Sequence, residues 1–238
     1  SMTMRAYDVP VQEREFELSP DFSIASLDDD RMKQRTLSKA QRAGLSQEDY
    51  IAMLGKVWDR RSEVPNKISE VARMASAVEA PMLSHDDTRA DTRGYFRNLG
   101  ASVAEFPMVM EAVEAARKHG DLIILGAPNA ARGGSHIGSI GAADMVEAGL
   151  CDALASDYFY PAMLAAIDRL DREKRADRAT LWSLLSSGPA RAMRLNDRGR
   201  ITIGSRADLV LVDWTKGQAP VIEGTWIAGR AAYSIQTQ

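Results

Sequence analysis

Disulfides are excluded from this chain by count, because Cys151 is its only cysteine and no bridge within the chain can staple the fold. Cys151 lies in the apolar run LCDALA, where a small buried side chain is the natural reading. Histidine is scarce too: there are three, and His85 is the first of them, ahead of His119 and His136. A cationic excess is missing, since 30 Lys and Arg face 33 Asp and Glu for a net charge of −3. That removes the basic footprint of a nucleic-acid binder. No apolar stretch approaches the roughly 20 residues of a membrane helix. The opening MTMRAYDVPVQEREFEL is charged and has no signal-peptide core, and Ser1 before Met2 reads as a tag remnant. The expectation is a cytoplasmic protein with neither membrane nor nucleic acid as a partner.

The chain does have the means to build a core. Of its 238 residues, 45% are hydrophobic and 26% charged, an ordinary globular balance. Short apolar runs alternate with helical patterns. FSIASL (22–27), APMLSHDD (80–87), ASVAEFP (101–107), LIILGAPN (122–129) and CDALASDY (151–158) read as strands. Between and after them, apolar spacing predicts helices over 39–64, with Ser46 as an internal N-cap, and over 66–80, 88–100, 108–120, 143–150, 161–175 and 179–193. Strand–helix alternation argues for parallel βαβ units, either in an open doubly wound sheet or in part of a (β/α)8 barrel. The tail differs: 198–214 and 221–234 read as β-structure separated by turn residues.

The polar residues gather just after each apolar run. Asp28, Asp29 and Asp30 follow the first, and His85, Asp86 and Asp87 the second. Glu105 ends the third, Asn129, Arg132, Ser135 and His136 follow the fourth, and Asp157 follows the fifth. In parallel βα folds the C-terminal strand ends carry the functional site, so these residues are candidates for one rim. Each also has a plain structural reading. His85 is either a half-buried histidine or a ligand, and Asp157 either caps the next helix or takes part in chemistry. Glu105 either pairs with a basic neighbour or faces the rim. His119, in KHG, reads as a cation at a helix C-terminus. The loop RGGSHIGS (132–139) combines glycine-freed N–H groups, a guanidinium, a hydroxyl and an imidazole. Those are the parts of an anion cradle, although the GxxxxGK[ST] pattern is absent.

With these residues in view, RGRITIGSRADLVLVDW (198–214) and the preceding SSGPARAMRL (186–195) resemble the C-terminal part of the amidohydrolase superfamily, metal-dependent TIM barrels of the (β/α)8 type with a small β domain. LSHDD, VAEFP, GAPNAARGGSH and LASDYFYP resemble its phosphonate-degradation branch, which hydrolyses α-D-ribose 1-methylphosphonate 5-triphosphate to the 5-phosphate and pyrophosphate. The resemblance runs from about Phe22 to Tyr233. It implies a divalent metal, Zn²⁺ first and Mn or Fe as alternatives, held by Asp30, His85, Glu105 and Asp157, with Asp157 also the catalytic base. It implies that Asp87, Asn129, Arg132, Ser135 and His136 meet a phosphorylated small-molecule substrate.

The superfamily's first-strand HxH or HxD motif is absent here. The expected fold is therefore an α/β barrel containing only the C-terminal strands 4–8, with 19–197 as the barrel part and 198–238 as the β segment. Such a sheet has unpaired edges and an exposed apolar face; the chain is then a fragment of a longer product, lacks an N-terminal segment, or closes its sheet against another subunit, with a homo-oligomer the expected state. The alternative is a non-catalytic relative that keeps the fold and binds a phosphorylated ligand or a partner chain.

Overall fold

The computed structural model describes residues 2–5, 30–133, 141–215 and 218–235. Among them, five strands form one parallel sheet in the order β1-β2-β3-β4-β5. These are β1 (Met2–Arg5), β2 (Met82–His85), β3 (Val103–Glu105), β4 (Leu122–Gly126) and β5 (Ala153–Ala155). The last four lie inside the apolar runs expected to be strands. The first was not expected: Met2–Arg5 pairs with β2 from Met2↔Met82 to Arg5↔His85. It takes the place beside β2 expected for 22–27, a stretch that lies outside the described residues.

Period-two alternation gives the sheet two different faces. Ala104, Ile123, Leu125 and Leu154 point one way. They pack on α5 (Met110–Lys118), α7 (Ala142–Glu147) and α8 (Ala162–Arg172) through Val113, Ala116, Met145, Val146, Ala166, Ile167 and Leu170. On α8, Ala162, Ala166, Ile167 and Leu170 recur at helical spacing, which makes the buried stripe. Burying a side chain such as Ile167 is worth about 1.5–3 kcal/mol against leaving it exposed. Before β2 come α1 (Asp30–Ala43), α2 (Gln47–Asp59) and α3 (Val64–Ala77). Ser46 does cap α2, its Oγ accepting from the Asp49 N–H at 3.0 Å.

Leu83, Val103, Ile124 and Ala153 point the other way, and this face is not bare. Ala192 of α10 (Ser187–Ala192) and Met193 just after it pack against them. The β5 edge is met as well, because Leu154 N–H donates to the Leu184 carbonyl at 3.0 Å. The expected exposed face and open edge are thus partly covered by the chain's own C-terminal helices. The single helix expected over 179–193 is two, α9 (Arg178–Ser183) and α10. Asp177 caps α9, accepting from Thr180 N–H at 2.9 Å. The break lets Gly188 approach β5 so closely that a Cβ there would lie 2.0 Å from the Asp152 carbonyl oxygen.

The tail forms an antiparallel sheet of β6 (Leu209–Asp213), β7 (Val221–Ile227) and β8 (Arg230–Ser234). Residues 198–208, expected as strand, are turns and loop. Trp214 ties this sheet to the rest: its Nε1 donates to Asp168 of α8 at 3.3 Å. The Arg178 guanidinium lies 4.6 Å from the centroid of the Trp214 ring, a cation–π contact. Among the described residues, no helix is long and apolar enough to cross a membrane.

Two outcomes follow from this packing. Gly188→Ala is expected to cost about 1–3 kcal/mol of stability, the usual range for forcing an atom into a packed site; urea denaturation measures it, and an unchanged midpoint contradicts the close approach. Burial pushes the Cys151 thiol up to about 12, with the Asp152 charge adding to it. The native protein at pH 8 should therefore leave Ellman's reagent unreacted over minutes, and one thiol per chain should react in denaturant. Rapid reaction of the folded protein would exclude a half-buried, protonated Cys151.

Candidate functional site

The C-terminal ends of β2, β3 and β5 surround an open cavity of about 820 Å³ lined by His85, Glu105, Phe106, Leu154, Ala155, Ser156, Asp157, Met163, Leu185 and Pro189. His85 and Glu105 are register partners on neighbouring strands, so strand pairing alone brings them side by side. Asp157 reaches the same cavity two residues beyond β5. Three backbones turn left-handed at this rim: Asp86 at φ 60°, Phe106 at 54° and Asp157 at 51°. Non-glycine residues held there store backbone strain, and such residues cluster at functional sites. The ladder nevertheless continues past the strand ends. Asp86 N–H donates to the Glu105 carbonyl at 3.0 Å, and Phe106 N–H to the Ile124 carbonyl at 2.9 Å.

His85 is held on two sides. Its Nδ1 lies 2.9 Å from Asp86 Oδ2, a close contact rather than an aligned hydrogen bond. The Phe106 ring meets it edge-on, with centroids 5.1 Å apart at 81°. Asp157 does not cap the next helix; Pro161 occupies the N-cap of α8. It is exposed at the cavity wall.

Arg132 and Tyr158 join two loops of the rim, the guanidinium Nη1 donating to the phenol oxygen at 3.2 Å. The end of the run 122–129, expected as strand, instead opens the short helix α6 (Ala127–Arg132). Pro128 at its start and Gly133 in the left-handed conformation at φ 82° close it at both ends. Asn129 lies on α6 with a buried Oδ1 that has no hydrogen-bond partner among the described residues. Ser135 and His136 fall outside the described residues.

Asp87 is the clear correction. Expected at the substrate, it is fully buried. Its Oδ2 accepts from Ser84 Oγ and, at 3.4 Å, from Arg93 of α4 (Ala90–Asn98). Burial pushes this carboxyl up while the Ser84 hydroxyl and the Arg93 guanidinium hold it down. A carboxylate enclosed this way cannot touch a ligand. The expected ligand set is not assembled either. Nitrogen and oxygen donors of the His85, Glu105 and Asp157 kind suit a divalent ion. Among the described residues, though, no three His, Cys, Asp or Glu side chains converge to hold one. Asp30 opens α1, its side chain outside the description. Sequence reasoning singled out none of Phe106, Tyr158, Leu185 and Pro189, although Phe106 lies within VAEFP, Tyr158 within LASDYFYP and Pro189 within SSGPARAMRL.

Known proteins resemble this chain in sequence and in fold. The model of the amidohydrolase family matches residues 64–233. The alpha-D-ribose 1-methylphosphonate 5-triphosphate diphosphatase of Escherichia coli (strain K12) is 36% identical over 189 residues, covering 79% of this chain and 48% of that protein. The chain thus spans about half the length of this curated relative. A prolidase crystallised with N-methylphosphonate-L-proline superposes with a TM-score of 0.53 at 16% identity, over 71% of this chain and 48% of that one. An amidohydrolase does so with a TM-score of 0.53 at 15% identity, over the same shares. At such identities the two structures speak to the fold, an α/β architecture around a parallel sheet. With a family model spanning 64–233 and a curated relative 36% identical over 79% of this chain, the chain belongs to the amidohydrolase family.

Proposed function

We propose that the cavity at the C-terminal strand ends binds a phosphorylated sugar and that the chain acts in hydrolysis of its phosphoric anhydride, as part of a TIM-type barrel whose C-terminal strands it supplies. The observation that carries this reading is the 36% identity to a sugar-triphosphate diphosphatase over 79% of the chain. His85, Glu105 and Asp157 lining one open cavity support it.

In this reading Asp157 is the general base. Its carboxylate takes a proton from water as the water oxygen bonds to phosphorus and the bond to the leaving pyrophosphate breaks. Exposure at the wall gives it access to both water and ligand. Arg132, steadied by Tyr158, meets the polyphosphate charge with a guanidinium, whose fork suits phosphate oxygens.

Amidohydrolases typically use a divalent metal, and the described residues do not gather three ligands for one. That observation favours a second reading, in which the cavity binds the phosphorylated ligand without turning it over.

Asp157→Asn is expected to lower pyrophosphate release from ribose 5-triphosphate by about 10²–10⁴-fold, the usual worth of a general base, with ligand affinity kept; ³¹P NMR follows the release. Binding without turnover in the unmodified protein selects the second reading, and neither binding nor turnover rejects both. Arg132→Ala should weaken pyrophosphate binding by about tenfold or more, since a hydrogen bond to a charged group is worth about 1.5–3 kcal/mol. Calorimetry measures the loss, and an unchanged affinity removes Arg132 from the site.

A further inference from the structure

Tyr158 stands at the rim with a hydroxyl whose own proton the hydrolysis reading leaves unused. It follows Asp157, which lines the cavity, and its side chain is largely exposed, at 70%. The backbone beneath it is tied down. Phe159 N–H donates to the Ser156 carbonyl at 3.0 Å, closing a tight turn over 156–159, and Asp157 takes the left-handed conformation at φ 51° inside it. Beyond the turn, Ala162 N–H donates to the Phe159 carbonyl at 3.0 Å and Met163 N–H to the Tyr160 carbonyl at 3.2 Å, which runs the segment directly into α8. Ser156, Asp157 and Met163 all line the cavity, so the segment that carries Tyr158 begins and ends at the cavity wall.

A phenol hydroxyl both donates and accepts, whereas a guanidinium only donates. Arg132 Nη1 donates to the Tyr158 oxygen at 3.2 Å. Arg132 has no lone pair to offer in return, so the phenol proton points away from it. Among the described residues, no hydrogen bond from the Tyr158 hydroxyl to an acceptor forms. Accepting from a cation also polarises the O–H bond and strengthens it as a donor, as hydrogen bonds in a chain do. The partner that fits is an anion with several oxygens, which can take the phenol proton through one oxygen and guanidinium N–H groups through another. A phosphate group has that shape and charge.

We propose that Tyr158 binds phosphate in its own right: its hydroxyl donates to a polyphosphate oxygen while its oxygen holds Arg132, so that the two side chains form a two-donor clamp between the end of α6 and the turn after β5. The inference rests on the reading above in placing the polyphosphate at Arg132.

The test compares inorganic pyrophosphate binding by the parent chain, Tyr158→Phe, Arg132→Ala and the double variant. Each is followed by NMR titration of the whole ¹⁵N-labelled chain, which reads weak affinities as well as strong ones. Tyr158→Phe removes one hydroxyl from an exposed ring and should weaken binding by about tenfold. In the Arg132→Ala background the same change should weaken it again, by about threefold or more, because the phenol still donates. Tyr160→Phe is the control: this phenol, two residues on and 79% exposed, should be removable with no change in affinity. A Tyr158→Phe loss that appears in the parent and vanishes in Arg132→Ala overturns the proposal, since Tyr158 would then act only by steadying Arg132. An unchanged affinity in Tyr158→Phe overturns it, and so does an equal loss in Tyr160→Phe. Disappearance of all binding in Arg132→Ala does so too, because a second donor must leave residual affinity. Each of those results leaves the phosphorylated-sugar reading standing. Pyrophosphate binding without turnover of ribose 5-triphosphate defeats the hydrolysis and spares the clamp, and a parent chain that binds no pyrophosphate overturns both.

Discussion

One guanidinium with no access to water sets much of this structure. Taking Arg93 out of water costs several kcal/mol by itself, and burial accordingly pulls its pKa down while Asp87 and Asp121 push it back up. The cost is met only if every partner is in place, and the partners lie on different elements: Ser84 on β2, Val103 on β3, Ala101 before it, Asp121 before β4 and Asp87 in the rim loop. Removing one partner of such a buried pair typically costs about 3–5 kcal/mol. Arg93 therefore does what apolar packing alone does poorly. It specifies which part of α4 lies over which strands, and it fixes the loop that leaves β2.

The cavity is built on that foundation. A parallel sheet carries its functional residues where its strands end, and here pairing of β2 with β3 puts His85 beside Glu105. The floor comes from elsewhere in the chain. Leu185 and Pro189 line the cavity too, brought there by the break between α9 and α10 that lets Gly188 settle against Asp152. The same helices partly cover sheet surface that a barrel lacking its first strands was expected to leave bare. Arg132 and Tyr158 then link the end of α6, which follows β4, to the segment after β5, so the rim is connected laterally.

Much of the fold was legible. The apolar runs at 80–87, 101–107, 122–129 and 151–158 each contain a strand, because strands buried on both faces need continuous apolar sequence. Ser46 announced its helix through a hydroxyl three residues from the N–H it satisfies. Other features were invisible for physical reasons. MTMR carries no distinctive pattern, and its place in the sheet depends on pairing with a strand some eighty residues later. APNAAR continues an apolar strand and shows no helical stripe, yet Pro128 at a helix start and Gly133 after its end are the ordinary punctuation of a short helix. Asp87 looked like its neighbours His85 and Asp86, and nothing local distinguishes an acid that faces a cavity from one that turns into the core.

By itself the sequence determined the family, the α/β alternation and the edge on which His85, Glu105, Asn129, Arg132 and Asp157 would gather, since period and position along a strand dictate these. Only the tertiary structure decided which of them share a cavity and which are spoken for. That decision turns on burial and partners. Asp87 is withdrawn by Arg93 and Ser84, His85 is held by Asp86 and Phe106, and the floor is supplied by residues some hundred positions away. Each of these is a distance between side chains, which no spacing along the chain contains.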